Sequence, residues 1–218
     1  MRNLGRLHWQ QGAPVEPDCS KILCVGRNYA QHAAELNNPV PEQPVIFIKP
    51  STALCDLQQP LQLPQAEVHY ELELALWIVQ PLTKASPEQS LAAIGGYALA
   101  LDLTLRQVQS QLKQQGYPWE LAKAFDHSCP VGPLIKSLDR PLEETQIGLW
   151  IDAELRQQGQ VKQMIFDPGY LLSFISQHIS LLPGDLVLTG TPAGVGPLRS
   201  NQQLRMQLNQ HFWNGSVA

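Results

Sequence analysis

The stretch Val68-His69-Tyr70-Glu71-Leu72-Glu73-Leu74-Ala75-Leu76-Trp77-Ile78-Val79 decides the fold class. Val68, Tyr70, Leu72, Leu74, Leu76 and Ile78 alternate onto one face, which is the period of a β-strand. The other face carries His69, Glu71 and Glu73, then turns apolar at Ala75, Trp77 and Val79. From residue 74 onward both faces are apolar, which indicates burial. Residues two apart in a strand point the same way, so Glu71 and Glu73 share one space. Two carboxylates in a partly buried place repel each other and are poorly solvated. They need protonation, cationic partners or a metal ion. On these two residues alone, the polar face of an antiparallel strand in solvent is an equally good reading.

Outward from that strand, Gly95-Gly96 precedes a second apolar strand over residues 97–103. Asp102 lies near its end, on the face of Ala98 and Ala100. A carboxylate there is seldom unpaired. It caps the following helix, pairs with Arg106, or adds a third oxygen ligand to Glu71 and Glu73. Three carboxylates suit a hard cation such as Mg²⁺ or Mn²⁺.

Further strands are expected over residues 22–25, 45–48, 146–151 and 185–189, and helices over 29–36, 104–115 and 168–178. Asn37-Asn38-Pro39 stops the first helix and Gly116 ends the second. Residues 51–67 read as loops with short extended pieces. With no repeat and no linker, one domain over 21–218 is expected, preceded by an irregular leader over 1–20.

His32 and Glu35, three apart on the first helix, share a face. Such a pair is commonly a surface contact, and it can also serve as a general base whose imidazole the carboxylate orients. Lys123 lies in a charge-poor segment, where it can stabilise an anionic intermediate or pair with Asp126. The turn Thr189-Gly190-Thr191-Pro192-Ala193-Gly194-Val195-Gly196 lacks the lysine of a phosphate-binding loop. It reads as a tight glycine turn, or as backbone N–H groups able to hold a carboxylate.

The 218 residues are 44% hydrophobic, enough for one substantial core. Only 16% are charged, against roughly 25% in ordinary soluble domains, with 15 Lys and Arg against 19 Asp and Glu. That balance excludes a basic footprint for nucleic acid, a polybasic membrane signal and an acidic disordered chain. The four cysteines form no Cys-x-x-Cys and read as small buried thiols in a reducing compartment. No apolar signal segment or membrane-length run is visible, so a soluble cytoplasmic protein is expected.

Several motifs, in order, resemble the fumarylacetoacetate hydrolase family. They are Cys24-Val25-Gly26-Arg27-Asn28-Tyr29-Ala30-x-His32, Phe47-Ile48-Lys49-Pro50, Glu71-Leu72-Glu73-Leu74-Ala75, Gly96-Tyr97 leading to Asp102-Leu103-Thr104-Leu105-Arg106, Lys123-Ala124-Phe125-Asp126, Cys129-Pro130-Val131-Gly132-Pro133, and Gly184-Asp185-Leu186-Val187-Leu188-Thr189-Gly190-Thr191-Pro192. The resemblance implies an α+β, mostly β, mixed sandwich-roll fold with short helices, and a homodimer. It implies Glu71, Glu73 and Asp102 as ligands of Mg²⁺ or Mn²⁺, Lys123 beside the substrate, and His32 with Glu35 on a lid. Arg27, Lys49, Arg106, Gln109 and Thr191 match positions near the pocket. The chain departs from the family pattern at Ile78-Val79-Gln80, Arg106-Gln107 and Arg199-Ser200-Asn201, none of them among the expected ligands.

The family's substrates imply a small 2-oxo acid processed through a metal-stabilised enolate. Hydrolysis of a carbon–carbon bond in acylpyruvates is the first expectation. The alternative is isomerisation, tautomerisation or decarboxylation of a 2-oxo dicarboxylate, such as oxaloacetate or an intermediate of aromatic catabolism. A non-catalytic 2-oxo acid binding protein is the third.

Overall fold

The computed structural model describes residues 6–36 and 38–218. In chain order its elements begin with β1 (Lys21–Gly26), α1 (Ala30–Glu35), β2 (Val45–Pro50), β3 (Leu54–Asp56), β4 (Val68–Tyr70) and β5 (Leu72–Ile78). There follow α2 (Pro87–Ala92), β6 (Ile94–Leu101), β7 (Thr104–Leu105), α3 (Arg106–Gln115), α4 (Glu120–Lys123) and β8 (Cys129–Val131). The last third holds β9 (Gln146–Ile151), β10 (Glu154–Gln160), α5 (Pro168–His178), β11 (Leu186–Leu188), β12 (Gly196–Pro197), β13 (Gln203–Leu208) and β14 (His211–Ser216).

A seven-stranded mixed sheet runs β2-β1-β11-β5-β6-β8-β3, with β1 parallel to β11 and β3 parallel to β8. An antiparallel sheet, β10-β9-β13-β14, packs over it. Leu72, Leu74, Leu76 and Ile78 of β5 share the larger core with Ile147, Leu149, Ile151, Leu204, Met206 and Leu208 of that second sheet. Ala75 and Trp77, on the other face of β5, belong to a second core with Cys24, Ala98, Ala100 and Cys129. This is the mostly β, α+β architecture expected, and β5 is buried along its whole length. Leu7 and Val15, from the segment preceding β1, are buried in the second core.

The stretch from residue 68 is two strands rather than one. β4 pairs with β12 and β7 in a small third sheet, while β5 enters the large one. The chain changes sheets at Glu71, where the Leu72 N–H is taken by the side-chain oxygen of Gln157 at 2.8 Å instead of by a neighbouring strand. The helix expected from residue 104 starts at Arg106, because Thr104 pairs with His69 in that third sheet. Gly116 ends it in the left-handed conformation (φ 68°), as anticipated. The first helix is Ala30–Glu35, flanked by Tyr29 and Leu36. Of its expected stop signal, Asn37 lies outside the described residues.

Strand β10, absent from the sequence reading, turns Gln157 and Gly159 inward, so it lacks an apolar alternation. It also bulges at Arg156, between the pairs Leu155↔Trp150 and Gln157↔Leu149, and a bulge re-aims the side chain beside it. Strands β13 and β14 were also missed, although Leu204, Met206 and Leu208 alternate with polar residues.

Candidate metal centre and active site

The Glu71–Glu73 pair stands where β4 hands over to β5, and Asp102 directly follows β6. The Asp102 N–H donates to the Glu71 carbonyl at 2.8 Å, which locks the two segments together. Carboxylate oxygens of Glu71, Glu73 and Asp102 lie within 4.8 Å of one another, and all three residues are buried. Two of the three have cations against them. Lys123 Nζ donates to Glu71 Oε2 (2.9 Å), Asp102 Oδ2 (2.5 Å) and Thr104 Oγ1 (2.7 Å). Arg106 Nη2 bonds the other oxygen of Glu71. Lys49 Nζ stands 2.9 Å from Asp102 Oδ1.

Glu73 has no cation against it among the described residues. Its carboxylate accepts the Gly190 N–H at 2.5 Å. The charge balance appears in the acidities. Burial drives Glu73 well above the usual carboxylate range, reinforced by the charges of Asp102 and Glu71. Burial acts on Glu71 too, but Lys123 and Arg106 overcome it and hold that carboxyl well below the usual range. For Lys123 the desolvation of a buried ammonium is outweighed by Asp102 and Glu71, and its acidity falls.

The three residues fit a divalent cation. They supply only hard oxygen donors. Asp102 Oδ1 is buried without a hydrogen bond, because the Lys49 ammonium directs its hydrogens to the carbonyls of Leu103, Lys123 and Ser128 and to the Ser128 hydroxyl. Glu73 is the carboxylate that lacks a counter-charge. The sequence reading left protonation, cations and a metal open for this cluster. Protein cations serve Glu71 and Asp102, and Glu73 is left to a proton or a metal.

Above the triad, one cavity of about 120 Å³ brings together Arg27, His32, Glu71, Arg106, Gln109 and Lys123. Arg106 is held by Gln109 (Nη1 to Oε1, 2.6 Å) as well as by Glu71, and its buried Nε has no partner. Lys49 does not line the cavity. It is fully buried behind Asp102, where the carbonyls it joins tie the α4 segment to the sheet. Thr191 does not line it either.

Helix α1 has six residues, too few to persist alone. Asn28, fully buried, pins its approach. The Asn28 amide donates to the carbonyls of Thr189 (2.8 Å) and Phe166 (3.0 Å) and accepts the Phe166 N–H (2.8 Å). At the far end of the helix, the Glu35 carboxylate accepts the Gly194 N–H at 3.1 Å. Its other contact is His32 Nδ1, at 3.4 Å. Burial pushes the His32 imidazole down, although Glu71 and Glu35 pull the other way, so the ring is neutral near pH 7.

The glycine turn therefore holds two carboxylates of the protein itself, Glu73 at Gly190 and Glu35 at Gly194. Both glycines have left-handed φ, 100° and 99°. A Cβ on Gly194 would stand 1.9 Å from the carbonyl oxygen of Arg156, the bulged residue of β10. Beside it, Gln157 donates to Thr191 Oγ1 and the Pro192 carbonyl, each at 2.8 Å, while its oxygen holds Leu72. Asn28 and Gln157 carry no signal by residue type. The first could have been noticed as a polar residue two positions past an apolar strand, the second only from the tertiary structure.

This arrangement of a buried three-carboxylate centre, a buried lysine and a short helix bearing His and Glu, on a mixed β roll, places the chain among metal-centred enzymes of small acids. It belongs to the fumarylacetoacetate hydrolase family, whose model for the fumarylacetoacetate (FAA) hydrolase C-terminal region matches residues 21–212. Oxaloacetate tautomerase YcgM of Escherichia coli (strain K12) is 47% identical over 208 residues, covering 94% of this chain and 95% of that protein. The human mitochondrial oxaloacetate tautomerase FAHD1 is 43% identical over 188 residues, 84% of each chain. A fumarylpyruvate hydrolase from Pseudomonas aeruginosa, solved in complex with Mn²⁺ and pyruvate, superposes with a TM-score of 0.92 at 33% identity, covering 100% of this chain and 97% of that one. The relatives of higher identity thus carry the tautomerase name. They favour the isomerase alternative over acylpyruvate hydrolysis, which the sequence reading had placed first.

Proposed function

We propose that this enzyme interconverts the keto and enol forms of oxaloacetate. The single observation that carries the reading is 47% identity, across nearly the full length of both chains, to the E. coli oxaloacetate tautomerase. The buried acidic triad and the small cavity support it, since about 120 Å³ is well below the ~300 Å³ at which pockets for drug-sized ligands begin. The homodimer is part of the proposal on the resemblance alone.

In this reading Glu71, Glu73 and Asp102 hold Mg²⁺ or Mn²⁺, which when bound supplies Lewis-acid stabilisation of the charge that develops on the 2-oxo oxygen. Lys123, fixed by three hydrogen bonds, adds a preorganised positive charge at the cavity floor. Arg106 and Gln109, bonded to each other, orient the acid. Tautomerisation moves one proton from C3 to the 2-oxo oxygen and consumes no water. The neutral His32 imidazole takes the C3 proton at Nε2 and delivers a proton to the 2-oxo oxygen, which restores the neutral ring, and Glu35 on its Nδ1 side favours the tautomer with a free Nε2 lone pair. Closing the cavity with α1 keeps bulk water from the carbon centre.

The test follows enol absorbance and pyruvate release together, for oxaloacetate and for an acylpyruvate with Mg²⁺. Keto–enol exchange of oxaloacetate without stoichiometric pyruvate is the expected result. Pyruvate released from the acylpyruvate at a higher kcat/KM than oxaloacetate exchange would restore the hydrolase assignment. His32→Ala should lower exchange by roughly 10²–10⁴-fold and leave Mg²⁺ affinity within a factor of two.

A further inference from the structure

The cavity above the triad is lined by four cationic side chains, Arg27, Arg106, Lys113 and Lys123, against one carboxylate, Glu71. Two of the four are compensated. Lys123 is bonded to Glu71 and Asp102, and Arg106 to Glu71. Among the described residues Lys113 has only a neutral partner, the Asn38 amide oxygen at 2.9 Å. Arg27 makes no hydrogen bond or ion pair among the described residues, and its backbone stands in the left-handed region (φ 61°), uncommon for a residue other than glycine. Two positive charges thus converge without a counter-charge on one wall of a cavity whose floor is already provided for. The arrangement acts on Lys113. Partial burial pushes its ammonium down, and the charges of Arg27 and Arg106 push it further.

Helix α3 gives the wall its direction. Arg106, Gln109, Ser110 and Lys113 stand at i, i+3, i+4 and i+7, one stripe of a helix, and all four line the cavity. The stripe begins at Arg106, which is bonded to Glu71 of the triad, and at 1.5 Å per residue rises about 10 Å from there to Lys113. Because both ends of the stripe line the same small cavity, the long side chains of Arg106 and Lys113 reach back across that rise to one space, where a short ligand with two acid groups meets the triad and Lys123 with one and the free charges with the other.

We propose that Lys113 and Arg27 bind the second carboxylate of a 2-oxo dicarboxylate and so make the enzyme prefer oxaloacetate to pyruvate, the same molecule without that group. The proposal rests on the tautomerase reading for the identity of the substrate. It assigns the distal end of the site to residues that make no contact with the triad.

The experiment is calorimetric titration of the Mg²⁺-loaded protein with freshly prepared oxaloacetate and with pyruvate. The quantity read is the ratio of the two Kd values. Wild type should favour oxaloacetate by at least about tenfold. Lys113→Gln should cut the ratio by roughly tenfold, the worth of one charge-assisted hydrogen bond, while pyruvate binding moves less than twofold. Arg27→Asn, a residue that tolerates left-handed φ, should do the same. Asn38→Ala removes the tether of Lys113 but no charge and should leave the ratio within twofold of wild type. A ratio unchanged in both charge variants, or pyruvate weakened as much as oxaloacetate, overturns the proposal. Failure of the tautomerase reading would show separately, as absence of keto–enol exchange in the wild type, because the Kd ratio needs no turnover.

Discussion

Glu73 sits where a proton and a metal ion compete. Its carboxyl is pushed up by burial and by two neighbouring carboxylates, with the Gly190 N–H and the more distant Lys123 charge pulling back. In metal-free protein it therefore resembles a neutral amide, and near or below pH 4, where the unfolded chain is also largely protonated, Glu73→Gln should leave stability without metal within about 1 kcal/mol of wild type. The same change removes one of three charged ligands and should weaken Mg²⁺ binding by on the order of a hundredfold. Asp102→Asn is the contrasting case. It strands Lys49 as a buried charge and leaves Lys123 with Glu71 alone, and should cost about 3–5 kcal/mol in urea denaturation. Equal stability losses in the two variants would contradict this charge assignment.

A pH dependence follows with a definite sign. The folded state binds the Glu73 proton more tightly than the unfolded chain, whose glutamate ionises near pH 4.3. This group's contribution is complete below that value and is lost as pH rises toward the raised folded value. In chelator, wild type should lose stability relative to Glu73→Gln between pH 5 and pH 7. A difference that stays flat or grows would refute the raised acidity.

At the scale of elements, β10 and the glycine turn act as a backing for the site. The bulge at Arg156 admits the turn only because residue 194 has no Cβ, and the turn then offers its N–H to Glu35 of α1. Gln157, beside the bulge, joins the turn to the β4–β5 junction. Gln157→Leu leaves the Leu72 N–H and the Thr191 hydroxyl without their buried partner and should cost about 2–4 kcal/mol. Glu35→Ala should instead cost little globally, since its carboxylate is a third exposed, while hydrogen exchange of the α1 amides rises. Unchanged exchange there would mean that Asn28 alone holds the helix.

For the whole molecule, the legible part was what depends on local pattern. Helix α5 and strand β9 lie at the expected residues because Asp167-Pro168 and a continuous apolar run mark them. The three carboxylates were legible because charge is scarce and each stands in an apolar strand context. The junction at Glu71 was not, since period-two alternation continues through it while the hydrogen-bond partners change from one sheet to another. Lys49 looked like a pocket residue from its motif, yet its role is set by four oxygen atoms around Ser128, Lys123 and Leu103 that only tertiary structure brings together. Among the described residues no helix is long and apolar enough to cross a membrane.

The order of strands in the large sheet also governs how the chain is made. Strand β5 lies between β6 and β11, and its Leu74 carbonyl is bonded by Thr189, 115 residues further along. A ribosome adding about 5–20 residues per second needs on the order of ten seconds to cover that distance. Throughout that interval one edge of a strand that is apolar except at Glu73 has no neighbour, which is the condition under which strands pair with other chains. Nascent chains arrested before residue 186 should therefore be protease-sensitive at β5 and recruit hydrophobic-binding chaperones, and those arrested after the emergence of β11 should not. The active centre shares this timing. Its carboxylates, lysine and histidine all leave the ribosome before the turn that fixes Glu73 and Glu35, since Gly190 follows Glu73 by 117 residues.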